Sequence, residues 1–247
     1  MRQKNLHTYE NMRKAVLPSL ILFAVIRIPT ASAFQAFVVE DFEGYEVDGL
    51  PYFWKVPDRS SRSLRPLPPD HAKPNDFVRV VMEETGKVLR AYTQGESVQV
   101  ALQQGNGLEW DLSYAPRLRW RWRADKLPEG AMENSSRLND TGAALYVSFG
   151  CNDWIGRPCT IKYSYSSTLP KGTRARYGKL HVLVVSTALE AKGEWIEVER
   201  NVVEDYRMLF GKEPPVSPLY IMIWSDSDNT DGEADVYFDD IVVLTGE

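Results

Sequence analysis

The sequence predicts an all-β fold, a two-sheet antiparallel jelly-roll-like sandwich with one short helix. Three observations carry that reading. Short runs of alternating apolar and polar residues recur along the chain, Gly, Pro, Asn and Asp interrupt them, and a single stretch has helical character. Strands with one apolar face each are buried most simply by stacking two sheets.

In chain order, strands are expected at Ala36–Phe42, Phe77–Glu83, Val88–Thr93, Val98–Gln103, Leu118–Ala124 and Ala143–Phe149. They continue at Thr160–Ser166, Leu180–Ser186, Trp195–Asn201, Leu219–Ser225 and Asp235–Leu244. Arg59–Pro74 reads as a Ser/Arg/Pro-rich loop. The helix is expected over Val203–Phe210, stopped by Gly211 and then Pro214-Pro215. Within Arg117–Ala124, period two places Leu118, Trp120, Trp122 and Ala124 on one face and Arg117, Arg119, Arg121 and Arg123 on the other. The indoles are expected in the core.

The N-terminus has a separate character. A basic segment with Arg2, Lys4, Arg13 and Lys14 precedes an apolar run from Ala15 to Ile26, and Ala31-Ser32-Ala33 follows. That order predicts a secretory signal peptide over residues 1–33, cleaved after Ala33, and a single domain over residues 34–247. The apolar run has about 12 residues against the ~20 that span a bilayer, so no transmembrane segment is expected in the mature chain. Removing residues 1–33 takes away five basic residues and one acid, moving the net charge from −5 to −9. So acidic a domain is not expected to bind nucleic acid, and His71 and His181 alone limit histidine chemistry. Export, to a periplasm or the medium, places Cys151 and Cys159 in an oxidising compartment, where a disulfide is expected. The rival, two thiolates on a metal, lacks the other two ligands of a structural zinc site.

Several stretches resemble the family known as domain of unknown function 3047. They are Leu118-Arg-Trp-Arg-Trp-Arg-Ala-Asp-Lys-Leu-Pro128, Asn139-Asp-Thr-Gly-Ala-Ala-Leu-Tyr-Val-Ser-Phe149, Ile161-Lys-Tyr-Ser-Tyr165 and Gly193-Glu-Trp195. Arg200–Gly211, Ile221–Asn229 and Asp239-Asp-Ile241 continue the pattern. The resemblance implies an exported β-sandwich and brings no catalytic residues with it; the Cys151–Cys159 loop stands outside the pattern. More remotely, Val39-Glu-Asp-Phe-Glu-Gly44 and Val236-Tyr-Phe-Asp-Asp-Ile-Val-Val243 resemble the two ends of jelly-roll carbohydrate-binding modules. That similarity implies end strands lying together, with acidic side chains holding a structural calcium.

Calcium takes six to eight oxygen ligands. Asp41 and Glu43 at one end and Asp239 or Asp240 at the other are its candidate ligands; exposed turn carboxylates are the alternative. The acidic run Asp226–Glu233 is not an EF-hand, because the loop registered on Gly232 has Phe238 at its twelfth position; a solvated hairpin loop is expected. Glu233-Ala-Asp235 and Glu46-Val-Asp48 each begin a Glu-x-Asp-x-x-Glu hydrolase signature, and Phe238 and Pro51 break it. The arginine row, Arg119 and Arg121 above all, either grips an anionic glycan or pairs across strands with Glu197, Glu199, Asp235 or Asp239. Sugar rings stack on exposed aromatics, and Trp154, inside the Cys151–Cys159 loop, is the candidate; Tyr163 and Tyr165 share a strand face, and Trp224 faces core or surface. The functional expectation is a non-catalytic exported domain that binds polysaccharide. The alternatives are a polysaccharide hydrolase or lyase, and a domain that docks an envelope protein.

Overall fold

The computed structural model describes residues 35–58, 63–151 and 156–246, so residues 1–34 and Trp154 lie outside the described residues. The first half holds β1 (Ala36–Glu40), β2 (Lys55–Asp58), β3 (Ser63–Pro66), β4 (Asp76–Glu83), β5 (Gly86–Gln94), β6 (Ser97–Gln104), β7 (Gly107–Leu108) and β8 (Arg117–Lys126). The second holds β9 (Thr141–Phe149), β10 (Cys159–Ser166), β11 (Arg174–Tyr177), β12 (Leu180–Thr187), β13 (Ile196–Asn201), α1 (Val202–Phe210), β14 (Tyr220–Asp226) and β15 (Glu233–Leu244). They form a six-stranded sheet, β13-β8-β15-β5-β4 with β1 added on β15, and a nine-stranded sheet, β11-β12-β10-β9-β14-β6-β2-β3 with β7 on β6. Pairing is antiparallel apart from β10–β12 and β6–β7.

All eleven expected strands form, and four short ones join them. β3 falls inside the segment expected as a loop; it is an edge strand ending in Pro66, a residue that cannot donate to a ladder. Gly107 opens the two-residue β7.

The core lies between the sheets. Leu118, Trp120, Trp122 and Ala124 are fully buried, as period two requires. Trp120 packs on Tyr163 and Trp122 on Tyr165, with ring centroids 5.4 and 5.6 Å apart, so β8 of the smaller sheet interlocks with β10 of the larger. Trp122 Nε1 also donates to Ser186 Oγ on β12 at 3.0 Å. Tyr163 and Tyr165 are thus core residues.

Helix α1 closes one end. The Asn201 side chain accepts from the Glu204 N–H at its start, and Gly211, at φ 68°, caps its end by donating to the Arg207 carbonyl. Asp205, buried, accepts from the Tyr163 hydroxyl at 2.9 Å and takes a two-pronged contact from Arg200. Cys151 and Cys159 form a disulfide across a Cα–Cα distance of 5.5 Å.

Candidate functional site

The arginine row stands on the outer face of the smaller sheet, and each of its guanidinium groups faces carboxylates. Arg117 pairs with Glu199 and Arg119 with Glu197. Arg121 meets Asp239 at 2.6 Å and Asp240 at 2.8 Å, and Arg123 meets Glu83 and Asp125 at 2.9 Å. Trp195 and Tyr237 lie under Arg121 and Arg123. Asp235, expected to serve this row, instead takes Arg90 of β5 in a two-pronged contact at 2.7–2.8 Å. Cross-strand pairing, the second of the two sequence readings, is what the geometry contains.

The end strands pair as the calcium reading required, with Glu40 opposite Ile241. Their carboxylates nevertheless answer to separate donors. Asp41 Oδ1 accepts from the Glu43 N–H, Glu43 Oε1 accepts from the Lys87 N–H, and Asp239 accepts from Arg121 and the Asp240 N–H. Asp239 is 5% exposed, and burial raises its pKa. Among the described residues, the group of three carboxylates with oxygens within 4.8 Å of one another is instead Asp140, Asp226 and Asp228.

The outer face of the larger sheet has a different chemistry. Register aligns its side chains in cross-strand rows. One runs Val184, Ser164, Ala144, Trp224, Gln99; the next Val182, Lys162, Tyr146, Met222, Ala101; the third Leu180, Thr160, Ser148, Tyr220, Gln103. Side chains opposite one another in a ladder share a face. Tyr146 and Trp224 stack with centroids 5.5 Å apart, and Lys162 Nζ lies 5.7 Å from the Tyr146 ring centre. Ala101, Ala144, Tyr146 and Met222 form a second apolar cluster whose flanking members, Leu64, Leu180, Tyr220 and Trp224, also belong to this sheet. Its centre is buried, while Gln99, Gln103, Tyr220 and Trp224 are half-buried along the margin. From Tyr220 and Leu64 the face continues into a groove of about 670 Å³ that includes Gln103 and Gln104.

Trp224 Nε1 is buried on this face without a hydrogen-bond partner, while the Ser164 hydroxyl faces the Glu133 carboxylate. Glu133, from the segment after β8, spends one oxygen on Ser166 Oγ at 2.6 Å. Burial pushes the Glu133 carboxyl up and the Lys162 ammonium down, each partly restored by the other. A buried polar atom with no partner costs free energy, which an ordered water offsets where one fits.

Sequence reasoning missed Lys162, Ser164 and Glu133. The signal available was Thr160-Ile-Lys-Tyr-Ser-Tyr-Ser166, in which hydroxyls and one lysine alternate with large apolar residues. Alternation read alone points such residues at solvent, whereas here both faces of β10 are buried. The acidic run also differs from its expected form. β14 and β15 belong to different sheets, so their connection is not a hairpin, and Asp140 fastens it by accepting from the Asn229 N–H and from the Thr230 N–H and hydroxyl.

Fold and face together define a two-sheet β-sandwich with a polar and aromatic patch on its larger sheet. The chain belongs to the family described as protein of unknown function (DUF3047), whose match covers residues 65–242. Among solved structures it is similar to the Family 11 Carbohydrate-Binding Module of a cellulosomal cellulase of Clostridium thermocellum. The TM-score is 0.44 at 9% identity, over 87% of this chain and 97% of that one. It is also similar to the CBM22-1 xylan-binding domain of Paenibacillus barcinonensis Xyn10C, with TM-score 0.37, 12% identity and coverage of 87% and 99%. The Family 29 module CBM29_1 of Piromyces equi gives 0.34, 10%, 87% and 92%. Likeness at this level assigns no residue a role. No curated protein matches the sequence.

Proposed function

We propose that this domain is an exported glycan-binding module that holds a polysaccharide along the outer face of its larger sheet. The observation that carries the reading is the half-buried margin of Trp224, Tyr220, Gln99 and Gln103, where the Trp224 indole stacks on Tyr146. A sugar ring offers apolar C–H faces to stack on an indole and hydroxyls that both donate and accept, which side-chain amides and a phenol can meet. The adjoining groove beside Gln103 and Tyr220 gives a chain room to continue. Export rests on the pattern of residues 1–33 and is supported by the disulfide. N-terminal sequencing of the secreted form is expected to begin at Phe34, and a start before residue 30 would be fatal to it.

The test is affinity electrophoresis on neutral and uronate-containing polysaccharides. Trp224→Ala, folded by circular dichroism, is expected to weaken retention about tenfold through loss of the stacking surface. Changing Arg119 and Arg121 together to Gln is expected to leave retention intact, because those groups already face carboxylates. Retention unchanged in Trp224→Ala, or absent on every polymer, sinks the proposal. A second reading, hydrolysis or elimination, is favoured by the shifted Glu133 and Lys162 on the same face, and release of reducing or unsaturated ends would establish it. Among the described residues no helix is long and apolar enough to cross a membrane.

A further inference from the structure

We propose that the end of β14 is a divalent-cation site, for calcium by its all-oxygen chemistry, formed by Asp140, Asp226 and Asp228 with the hydroxyl of Thr141. Carboxylate oxygens of the three acids lie within 4.8 Å of one another. A calcium shell with metal–oxygen distances near 2.4 Å is about 4.8 Å across, so all three fit one ion.

The second observation is independent of the acids. Thr141 is 1% exposed, its Oγ1 has no hydrogen-bond partner, and it stands opposite Asp226 in the β9–β14 register. Its side chain therefore shares a face with that of Asp226. Asp226 Oδ1 is likewise shut off from solvent, and the Asp228 N–H is the backbone donor that faces this carboxylate. Asp140 is fully buried and fixed in orientation by the Asn229 and Thr230 backbone and the Thr230 hydroxyl at 2.6–3.0 Å. That is the arrangement of a ligand held from behind by its neighbours.

The charge around the group is unbalanced. Lys162 on β10 faces Asp140, Asp226 and also Glu133, so one ammonium stands among four carboxylates once Asp228 is counted. A divalent ion supplies the missing positive charge. It would also tie the segment after β8 to the β14–β15 connection, two parts of the chain that Asp140 already links.

Terbium luminescence on the full chain, excited through tryptophan, reads the site directly, because Trp224 lies two residues from Asp226 on the same strand face. Saturable terbium emission displaced by calcium, and a calcium-dependent rise in Tm, are expected. Asp228→Asn changes an exposed side chain and is expected to fold and to abolish both. Thr230→Val is expected to weaken binding about tenfold by freeing Asp140 from its orienting hydroxyl. A folded wild-type chain with no saturable emission and no calcium-dependent Tm overturns the proposal. So does an Asp228→Asn variant with undiminished affinity; displacement by magnesium alone overturns the assignment to calcium. The site does not rest on the glycan reading. Loss of polysaccharide retention in Trp224→Ala is scored with chelator present, so the two proposals fail separately.

Discussion

Trp122→Ala is expected to lower the unfolding free energy by about 3–5 kcal/mol, the range for removing a large aromatic from a packed interior. The indole is fully buried and touches Trp120, Tyr165 and Phe238, with centroids 5.3, 5.6 and 6.1 Å away. Those rings come from both sheets, so the void opens at the seam, where neither sheet alone can collapse to fill it. The loss of Nε1 also strands Ser186 Oγ, buried on β12, which adds about 1–3 kcal/mol where no water enters. Trp122→Phe keeps most of the ring contact while losing the hydrogen bond, so its smaller cost sets an upper bound on the polar part. Urea unfolding with an unchanged slope is the measurement, and a shift below about 1 kcal/mol for the alanine variant would contradict the seam's importance.

In the presence of a chelator, stability is expected to fall as pH rises from about 4 to about 7, and Asp226→Asn is expected to remove that slope. The Asp226 carboxyl is pushed up to about 7, first by burial and then by Asp228 and Asp140, with Lys162 pulling it back. Across this window the folded chain keeps a proton that the unfolded chain, near 3.8, has released. The folded state binds more protons, so the slope of stability against pH is negative there. Below the window both states hold the proton and above it neither does, so this group contributes no slope at either end. Asp226→Asn is therefore expected to melt higher than the wild type at pH 8, with the advantage shrinking toward pH 4. The same slope in wild type and variant would assign it to Glu133 or Asp239, whose carboxyls burial also raises.

The sandwich was legible because its strands are written in period two and its turns in Gly, Pro, Asn and Asp. Trp120 and Trp122 alternating with four arginines can be satisfied only by a strand with one face in a core and the other among acids. Even the partners Glu197, Glu199 and Asp239 follow from that rule. Asp235 was misassigned because register decides which diagonal neighbour an acid meets, and β5 lay closer to it than the sequence could tell. Register also hid the candidate site. Ser164, Ala144, Trp224 and Gln99 share a row although they come from four separated stretches, and nothing local to any one of them announces the others. Asp140 was missed for a related reason: its partners, Asn229 and Thr230, lie 89 and 90 residues away.

The position of β15 bears on the order of events in folding. It lies between β8 and β5 and also pairs with β1, so these three strands meet only through it. Until residues 233–244 are in place, the smaller sheet exists as two separate strand pairs, β13–β8 and β5–β4, each with open edges. Closing them demands contacts between residues some two hundred positions apart, such as Phe37 with Val243, and such long loops make folding slow. A nascent or threaded chain is thus committed to waiting, its apolar strand faces exposed to aggregation or to a holding chaperone, until the central strand arrives and sets both halves at once.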